Sequence, residues 1–313
     1  MSVMEQTKHV SVMLEEVIEM LDLKQGMIVV DATLGGGGYT QEIYKRIMPG
    51  GTLIACDQDS DAINRFKEHY PEIAKDILIV HSNYSHIRKV LKEHNMRYVD
   101  RIVADLGLSS DQIEEGGRGF SFSGDNIIDM RMDRSKSLSA INIVNEFSEK
   151  ELADVIFLYG DERFSRRIAK AICDKRPIIS TKELADIISK AIPISVRKKM
   201  KMHPATKTFQ AIRIAVNDEY EHLKTFLTEG IDVLQSSGRF VVVSFHSGED
   251  RVVKNIFRTN ARGCICDEGV PVCCCEHEPV VQFLTKKAIK PSEEEIARNP
   301  RSRSARLRGV IKK

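Results

Sequence analysis

Ile28-Val29-Val30-Asp31-Ala32-Thr33-Leu34 is followed at once by Gly35-Gly36-Gly37-Gly38, and a second apolar run, Thr52-Leu53-Ile54-Ala55-Cys56, ends on Asp57. The first run reads as a buried strand, and Tyr39 to Met48 has the spacing of a helix. Strand, glycine turn, helix, strand and terminal acid make half of a doubly wound nucleotide-binding fold. The glycines let backbone approach a ligand closely, and an acid about 20 residues on can accept both ribose hydroxyls.

The ligand class follows from what the turn lacks. A dinucleotide site wants G-x-G-x-x-G with a pyrophosphate on the helix N-terminus. Here Gly35, Gly37 and Thr40 fill that template, so the third glycine is missing. Asp31 would repel a pyrophosphate. S-adenosylmethionine has no phosphate, and its methionine end carries an ammonium and a sulfonium, which suit an acid by charge pairing. The reading is a methyl-donor site; the plain alternative is a glycine turn that only joins strand to helix.

Outward from this unit the alternation continues. A helix is expected over Val12 to Leu21, helices over Ser60–His69 and Tyr84–His94, and strands over Ile77–His81 and Arg101–Leu106. This implies an α/β, Rossmann-like methyltransferase sheet with helices on both faces. The rhythm stops after Ser109. Ser148-x-x-Glu151 and Ser180-x-x-Glu183 are capping boxes opening helical runs, and a strand pattern returns only at Gly238 to Phe245, after a helix from about Asp218 to Leu234. We therefore expect a first methyltransferase part over residues 1–112, a helical insertion for substrate recognition over 113–208, and a second methyltransferase part over 209–313 with a cysteine-rich hairpin and an extended basic tail from Pro291.

The 313 residues carry 47 basic and 45 acidic side chains. The balance is uneven. Ile194 to Val216 holds Arg197, Lys198, Lys199, Lys201, Lys207 and Arg213 with no acid, and Thr285 to Lys313 holds ten basic residues against Glu293, Glu294 and Glu295. Such stretches point to a polyanionic partner or to solvated surface. No apolar run approaches the roughly 18 to 20 residues of a membrane span, and Met1 to Lys8 lacks a signal-peptide core, so a cytoplasmic protein is expected.

Five of the seven cysteines fall between Cys264 and Cys275. Clustered thiols suggest a metal where disulfides are disfavoured. Cys264, Cys266, Cys273 and Cys275 offer a structural zinc site; the alternative is thiols packed on a hairpin.

Ligands in open parallel sheets bind beyond the carboxyl ends of the strands. Those ends carry Asp31, Asp57, the segment His81 to Tyr84, and Asp105. Tyr84 could lie against adenine or be core. Ser109, Ser110 and Gln112 could hydrogen-bond adenine or the acceptor. Ser244-Phe245-His246-Ser247 is a second polar cluster, in which His246 reads either as a site residue or as a satisfied structural histidine. Methyl transfer to an exocyclic base amine needs alignment and acceptors for the amine protons; Asp105 is the catalytic candidate, with Ser244 behind it. A base inside a duplex cannot reach such a crevice, so single-stranded or flipped substrate is implied. Arg118-Gly119-Phe120-Ser121-Phe122 could stack on an unpaired base or anchor the insertion.

The chain resembles the bacterial RsmH (MraW) family of ribosomal RNA methyltransferases. The resemblance is carried by Lys8-His9-Val10-Ser11-Val12, Asp31 to Gly38, Asp105-Leu106-Gly107-Leu108-Ser109-Ser110, Arg118 to Phe122, Asp129-Met130-Arg131-Met132-Asp133, His203-Pro204-Ala205-Thr206, Ser244 to Ser247 and Asn299-Pro300-Arg301-Ser302, in order through nearly the whole chain. It implies methylation of the N4 amine of a cytidine in 16S ribosomal RNA, within the small ribosomal subunit or its precursor, with S-adenosylmethionine as donor. It implies donor contacts at Gly37, Gly38, Tyr39, Asp57, Tyr84, Asp105 and Gln112. Tyr39 stands where a histidine is often found, and Asp105-Leu106-Gly107-Leu108 stands in place of the Asp-Pro-Pro-Tyr type of motif. A dimer is carried as the expected assembly. The rival expectations are a methyltransferase acting on DNA or a small molecule, and a non-catalytic RNA-binding module.

Overall fold

The computed structural model describes residues 11–107, 117–122, 124–264, 266, 272, 275 and 277–313. The chain divides into two compact units, one of Met1–Gly107 and Tyr220–Lys313, the other Leu108–Glu219.

The first unit is built on a seven-stranded sheet. Its elements are α1 (Leu14–Leu21), β1 (Ile28–Asp31), α2 (Gly38–Ile47), β2 (Thr52–Asp57), α3 (Ser60–His69), α4 (Pro71–Asp76), β3 (Leu78–His81), α5 (Ile87–Glu93) and β4 (Val99–Asp105). The strand order is β3-β2-β1-β4-β5-β7-β6, where β5 is Leu234–Ser244, β6 Val281–Phe283 and β7 Arg306–Lys312. The strands from β3 to β5 are parallel, and β7 runs antiparallel between β5 and β6. Strand order reverses between β1 and β4, where an open α/β sheet leaves its binding crevice.

Period-two alternation divides the sheet's side chains between two cores. Val30, Ile54, Ile102, Phe240 and Val242 meet α5, α12 (Glu219–Val233) and α13 (Ser247–Ala261) on one face. Val29, Leu53, Val103, Val241 and Val243 meet α1, α2 and α3 on the other. The predicted helices and parallel strands are found within one to four residues of their expected ends.

The tail departs from its expected form. Instead of an extended basic segment, residues 291–313 form α14 (Glu293–Arg298), a 3-10 turn (Pro300–Ser304) and β7, an interior strand. Arg308 makes two hydrogen bonds to the Asp250 carboxylate, at 2.7 and 3.1 Å. Lys312 donates to the carbonyls of Ile231 and Asp232 at the end of α12, where a cation suits the helix dipole. These charges serve the fold, because their partners are ends and faces of neighbouring helices.

The second unit has its own core of Ile143, Leu152, Ile156, Ile168, Ile172, Leu184, Ile188, Phe209, Ile212 and Val216. Its helices are α6 (Ala140–Glu146), α7 (Glu149–Gly160), α8 (Ser165–Cys173), α9 (Thr181–Ala191), α10 (Ile194–Arg197) and α11 (Thr206–Asn217). The Ser148–Glu151 box closes in both directions, and Ser180 accepts the Glu183 N–H at 3.2 Å. The unit extends further than the expected residues 113–208, because α11 packs its Phe209, Ile212 and Val216 into this core. Among the described residues no helix is long and apolar enough to cross a membrane.

Candidate active site at the carboxyl ends of the strands

Four carboxyl groups of the first unit gather at the ends of β1, β2, β4 and β5. Asp31 closes β1 and is 1% exposed. One of its oxygens accepts the Thr40 hydroxyl at 2.6 Å and the other the Thr33 N–H at 3.2 Å. Burial outweighs those hydrogen bonds and pushes its pKa up to about 7, with the Asp57 charge adding to the rise.

Asp57 ends β2. Its two oxygens accept the N–H of Gly35 at 2.9 Å and of Asp59 at 2.8 Å. Burial raises its carboxyl above the usual range, and those two backbone donors pull in the opposite direction. The glycine turn is therefore pinned to the second strand. Gly37 caps α2 at φ 78°, and a Cβ there would run into the Phe66 ring. A Cβ on Gly38 would overlap the Ser11 hydroxyl. Close packing of the turn against Phe66 and Ser11, with a left-handed backbone at Gly37, is the physical reason for glycine here.

Asp105 ends β4, beside Val243 of β5. Its N–H is donated to the Thr33 hydroxyl at 2.6 Å, tying β4 to the segment after β1. Its Oδ1 is a buried oxygen with no hydrogen-bond partner among the described residues. Burial, then the charges of Asp31 and Glu249, hold its carboxyl well above the usual carboxylate range. A buried acceptor without a donor costs free energy that a ligand donor recovers.

Glu249 is an acid that sequence reasoning missed. It is 3% exposed and accepts the Phe245 N–H at 2.8 Å and, more weakly, the His246 N–H at 3.3 Å. The available signal is the box His246-x-x-Glu249 at the start of α13, where His246 accepts the Glu249 N–H in return. His246 is thus a helix cap. Thr33, also unassigned from sequence, links Asp31 to Asp105 by donating its N–H to the Asp31 carboxylate and accepting the Asp105 N–H, and Thr40 holds the other Asp31 oxygen.

The remaining expected residues sit as follows. Tyr39 is buried, with its hydroxyl donated to the Val12 carbonyl, so its side chain faces the core. Tyr84 packs its ring on Phe226 at 5.0 Å between centroids while staying half-buried. Ser244 is buried, with its hydroxyl 3.4 Å from the Arg306 carbonyl, which places it in the β5–β7 pairing. Ser109, Ser110 and Gln112 lie outside the described residues. In the second unit, Phe122 stacks on His203 at 4.5 Å and meets Phe209 edge-on, and Arg118 lies over Phe120. Phe120 and Phe122 are packed against the core of that unit.

A group of strand-end acids, in which Asp105 Oδ1 has no partner among the described residues, beside a glycine turn tied to a strand-terminal carboxylate, suits a nucleoside bearing positive charge and no phosphate. The model of the MraW methylase family matches residues 6–313. The chain belongs to that family. It is a methyltransferase with the α/β sheet described above. Curated relatives carry the name ribosomal RNA small subunit methyltransferase H. That of Finegoldia magna is 46% identical over 304 residues, covering 96% of this chain and 97% of its own. That of Brevibacillus brevis is 45% identical over 303 residues, with 96% of each chain covered. That of Syntrophobacter fumaroxidans is 44% identical over 308 residues, 97% of this chain and 96% of its own. An MraW methylase needs a donor site, and the strand-end acids are its candidate residues.

Proposed function

We propose that this protein transfers a methyl group from S-adenosylmethionine to the exocyclic N4 amine of a cytidine in 16S ribosomal RNA, on the small ribosomal subunit or its precursor. The observation that carries the reading is the acid chain at the strand ends, with a buried Asp105 Oδ1 that has no partner among the described residues. Membership of the MraW methylase family and the relatives' shared name support the substrate class.

The donor supplies a methyl already activated on a sulfonium. The residues then have separable tasks. Asp57 accepts the ribose hydroxyls while keeping the Gly35 turn in place. A bound sulfonium and ammonium draw Asp31 and Asp105 toward the ionised form that burial opposes, and charge pairing with those carboxylates then holds the donor. Asp105 Oδ1 accepts a proton of the N4 amine, which restores lone-pair density to an otherwise delocalised nitrogen. Ionised beside the bound cationic donor, Asp105 would take that proton as the new N–C bond forms. Gly37 and Gly38 keep the turn packed tightly on Phe66 and Ser11, and their main chain is assigned the donor's backbone contacts.

RNA affinity is assigned to exposed lysines of the second unit. In the basic stretch Arg197, Lys207 and Arg213 are bound to Ser189, Asp161 and Glu219, whereas Lys198, Lys199 and Lys201 are exposed. The cytoplasm is the expected compartment, and a dimer the expected assembly, which light scattering of the purified chain measures.

The test is transfer of labelled methyl to small subunits, free ribosomal RNA and DNA, with nuclease digestion and mass spectrometry of the product. N4-methylated cytidine at one ribosomal position supports the proposal. Methylated DNA alone, or label on a different base, overturns it.

A further inference from the structure

The cysteine cluster stands apart from the methyl-donor site, and nothing in methyl transfer uses it. It lies in the segment between the end of α13 at Ala261 and the start of β6 at Val281. The Sγ atoms of Cys264, Cys266 and Cys275 all lie within 4.8 Å of one another. Those of Cys264 and Cys275 are 3.8 Å apart. A disulfide would hold them at about 2.05 Å. Two thiolates at about 2.3 Å from one tetrahedral ion are instead roughly 3.8 Å apart. The observed spacing, within reach of a thiol–thiol hydrogen bond, is also the spacing of two ligands sharing a metal.

A second feature points the same way. The Cys266 N–H is directed at the Cys264 sulfur at 3.4 Å. A backbone donor on sulfur orients that sulfur as outer-shell hydrogen bonds orient the ligands of a metal site. Cys264 is exposed and the other two half-buried, so an ion reaches the sulfurs from solvent.

The segment is fixed at both ends. Val280 donates its N–H to the Asn260 carbonyl at 2.9 Å, and His277 Nε2 lies 3.2 Å from the Thr259 carbonyl, both at the end of α13. Val281 is buried, and the Lys313 N–H reaches the Val280 carbonyl at 3.0 Å.

We propose that Cys264, Cys266 and Cys275 form a structural site for a soft divalent cation, zinc by preference, that clasps this loop between α13 and the edge strand β6. Three thiolates exclude magnesium and calcium, which take oxygen donors, and select zinc among abundant divalent ions. Binding releases the thiol protons to solvent. Tetrahedral geometry takes a fourth donor beyond these three; Cys273, expected with them from the sequence, lies outside the described residues.

The test uses the full-length chain, purified under reducing conditions, stripped with chelator and titrated with cobalt(II). We expect one equivalent to bind with thiolate-to-cobalt charge transfer and the intense visible bands of a tetrahedral ion, and zinc to displace it. Cys264→Ser together with Cys275→Ser abolishes the bands, while Cys173→Ser, which changes a thiol of α8, keeps them. Circular dichroism confirms that each variant is folded. The proposal is overturned if the reduced wild-type chain takes up no cobalt or gives only six-coordinate spectra. It is equally overturned if the folded double variant binds like wild type. Donor affinity, read separately by calorimetry, tests the other site.

Discussion

Asp57 and Gly35 are joined by a 2.9 Å hydrogen bond in which the carboxylate at the end of the second strand accepts the backbone N–H of the turn after the first. One side chain therefore shapes the glycine cradle and, in the proposed complex, meets the sugar that the cradle admits. Substitution at this position acts on affinity and on turn geometry together.

We expect Asp57→Ala to weaken donor binding by about 1.5 to 3 kcal/mol, the scale of a charged hydrogen bond, or roughly tenfold to a hundredfold. Asp57→Asn keeps one acceptor for Gly35 and should lose less. Calorimetry that finds both variants equal to wild type removes the ribose assignment.

Asp31 ties stability and binding to pH in opposite senses. Its folded pKa of about 7 lies above the ordinary 3.8, so the native state holds this proton more tightly than the unfolded chain. Its contribution to stability is full below 3.8 and is lost as pH rises through about 7. Asp31→Asn should flatten that part of the stability profile and raise the stability of the ligand-free protein near neutral pH. A cationic donor prefers the carboxylate, so wild-type affinity should climb over the same range and that of Asp31→Asn should not. Denaturant titrations and calorimetry at several pH values give both curves; parallel curves for the two proteins would rule this out.

Gly37 is held at φ 78° with the Phe66 ring where a Cβ would go. We expect Gly37→Ala to cost about 1 to 2 kcal/mol for the left-handed backbone and about 1 to 3 kcal/mol for overpacking. Thermal melts should show the loss. An unchanged melting temperature would mean the turn can move, and the cradle would not be rigid.

Changing Lys198, Lys199 and Lys201 together to Gln should reduce the salt dependence of RNA binding. Each phosphate neutralised on a single strand adds about 0.7 to the slope of log affinity against log salt, so removing three such lysines should lower the slope by about 2. An identical slope places the RNA surface elsewhere.

The nucleotide half of the sheet was legible because β1, the glycines, α2 and β2 each carry a local signal that agrees with the next. The tail was not. Arg306, Arg308 and Lys312 alternate along β7, and charge alone does not reveal that Asp250 and the end of α12 supply partners for two of them. The insertion runs past its expected end because α11 is amphipathic, and an amphipathic pattern does not say which core receives it. Tyr39 shows the limit at the site itself. Its place after the glycines suggested a ligand contact, but whether an aromatic side chain turns inward depends on Val12, a residue well before the turn in sequence. Glu249 escaped notice because it reads as a helix cap, and only its burial and its charge on Asp105 show that it shapes the field of the crevice.

A crystal of this protein soaked with S-adenosylhomocysteine tests the central claim most directly. The account places the ribose hydroxyls on Asp57, the amino-acid end beside the Asp31 and Asp105 carboxyls, and the main chain of Gly37 and Gly38 against the ligand. Density for the ligand away from these strand ends, with Asp57 facing solvent, would contradict it.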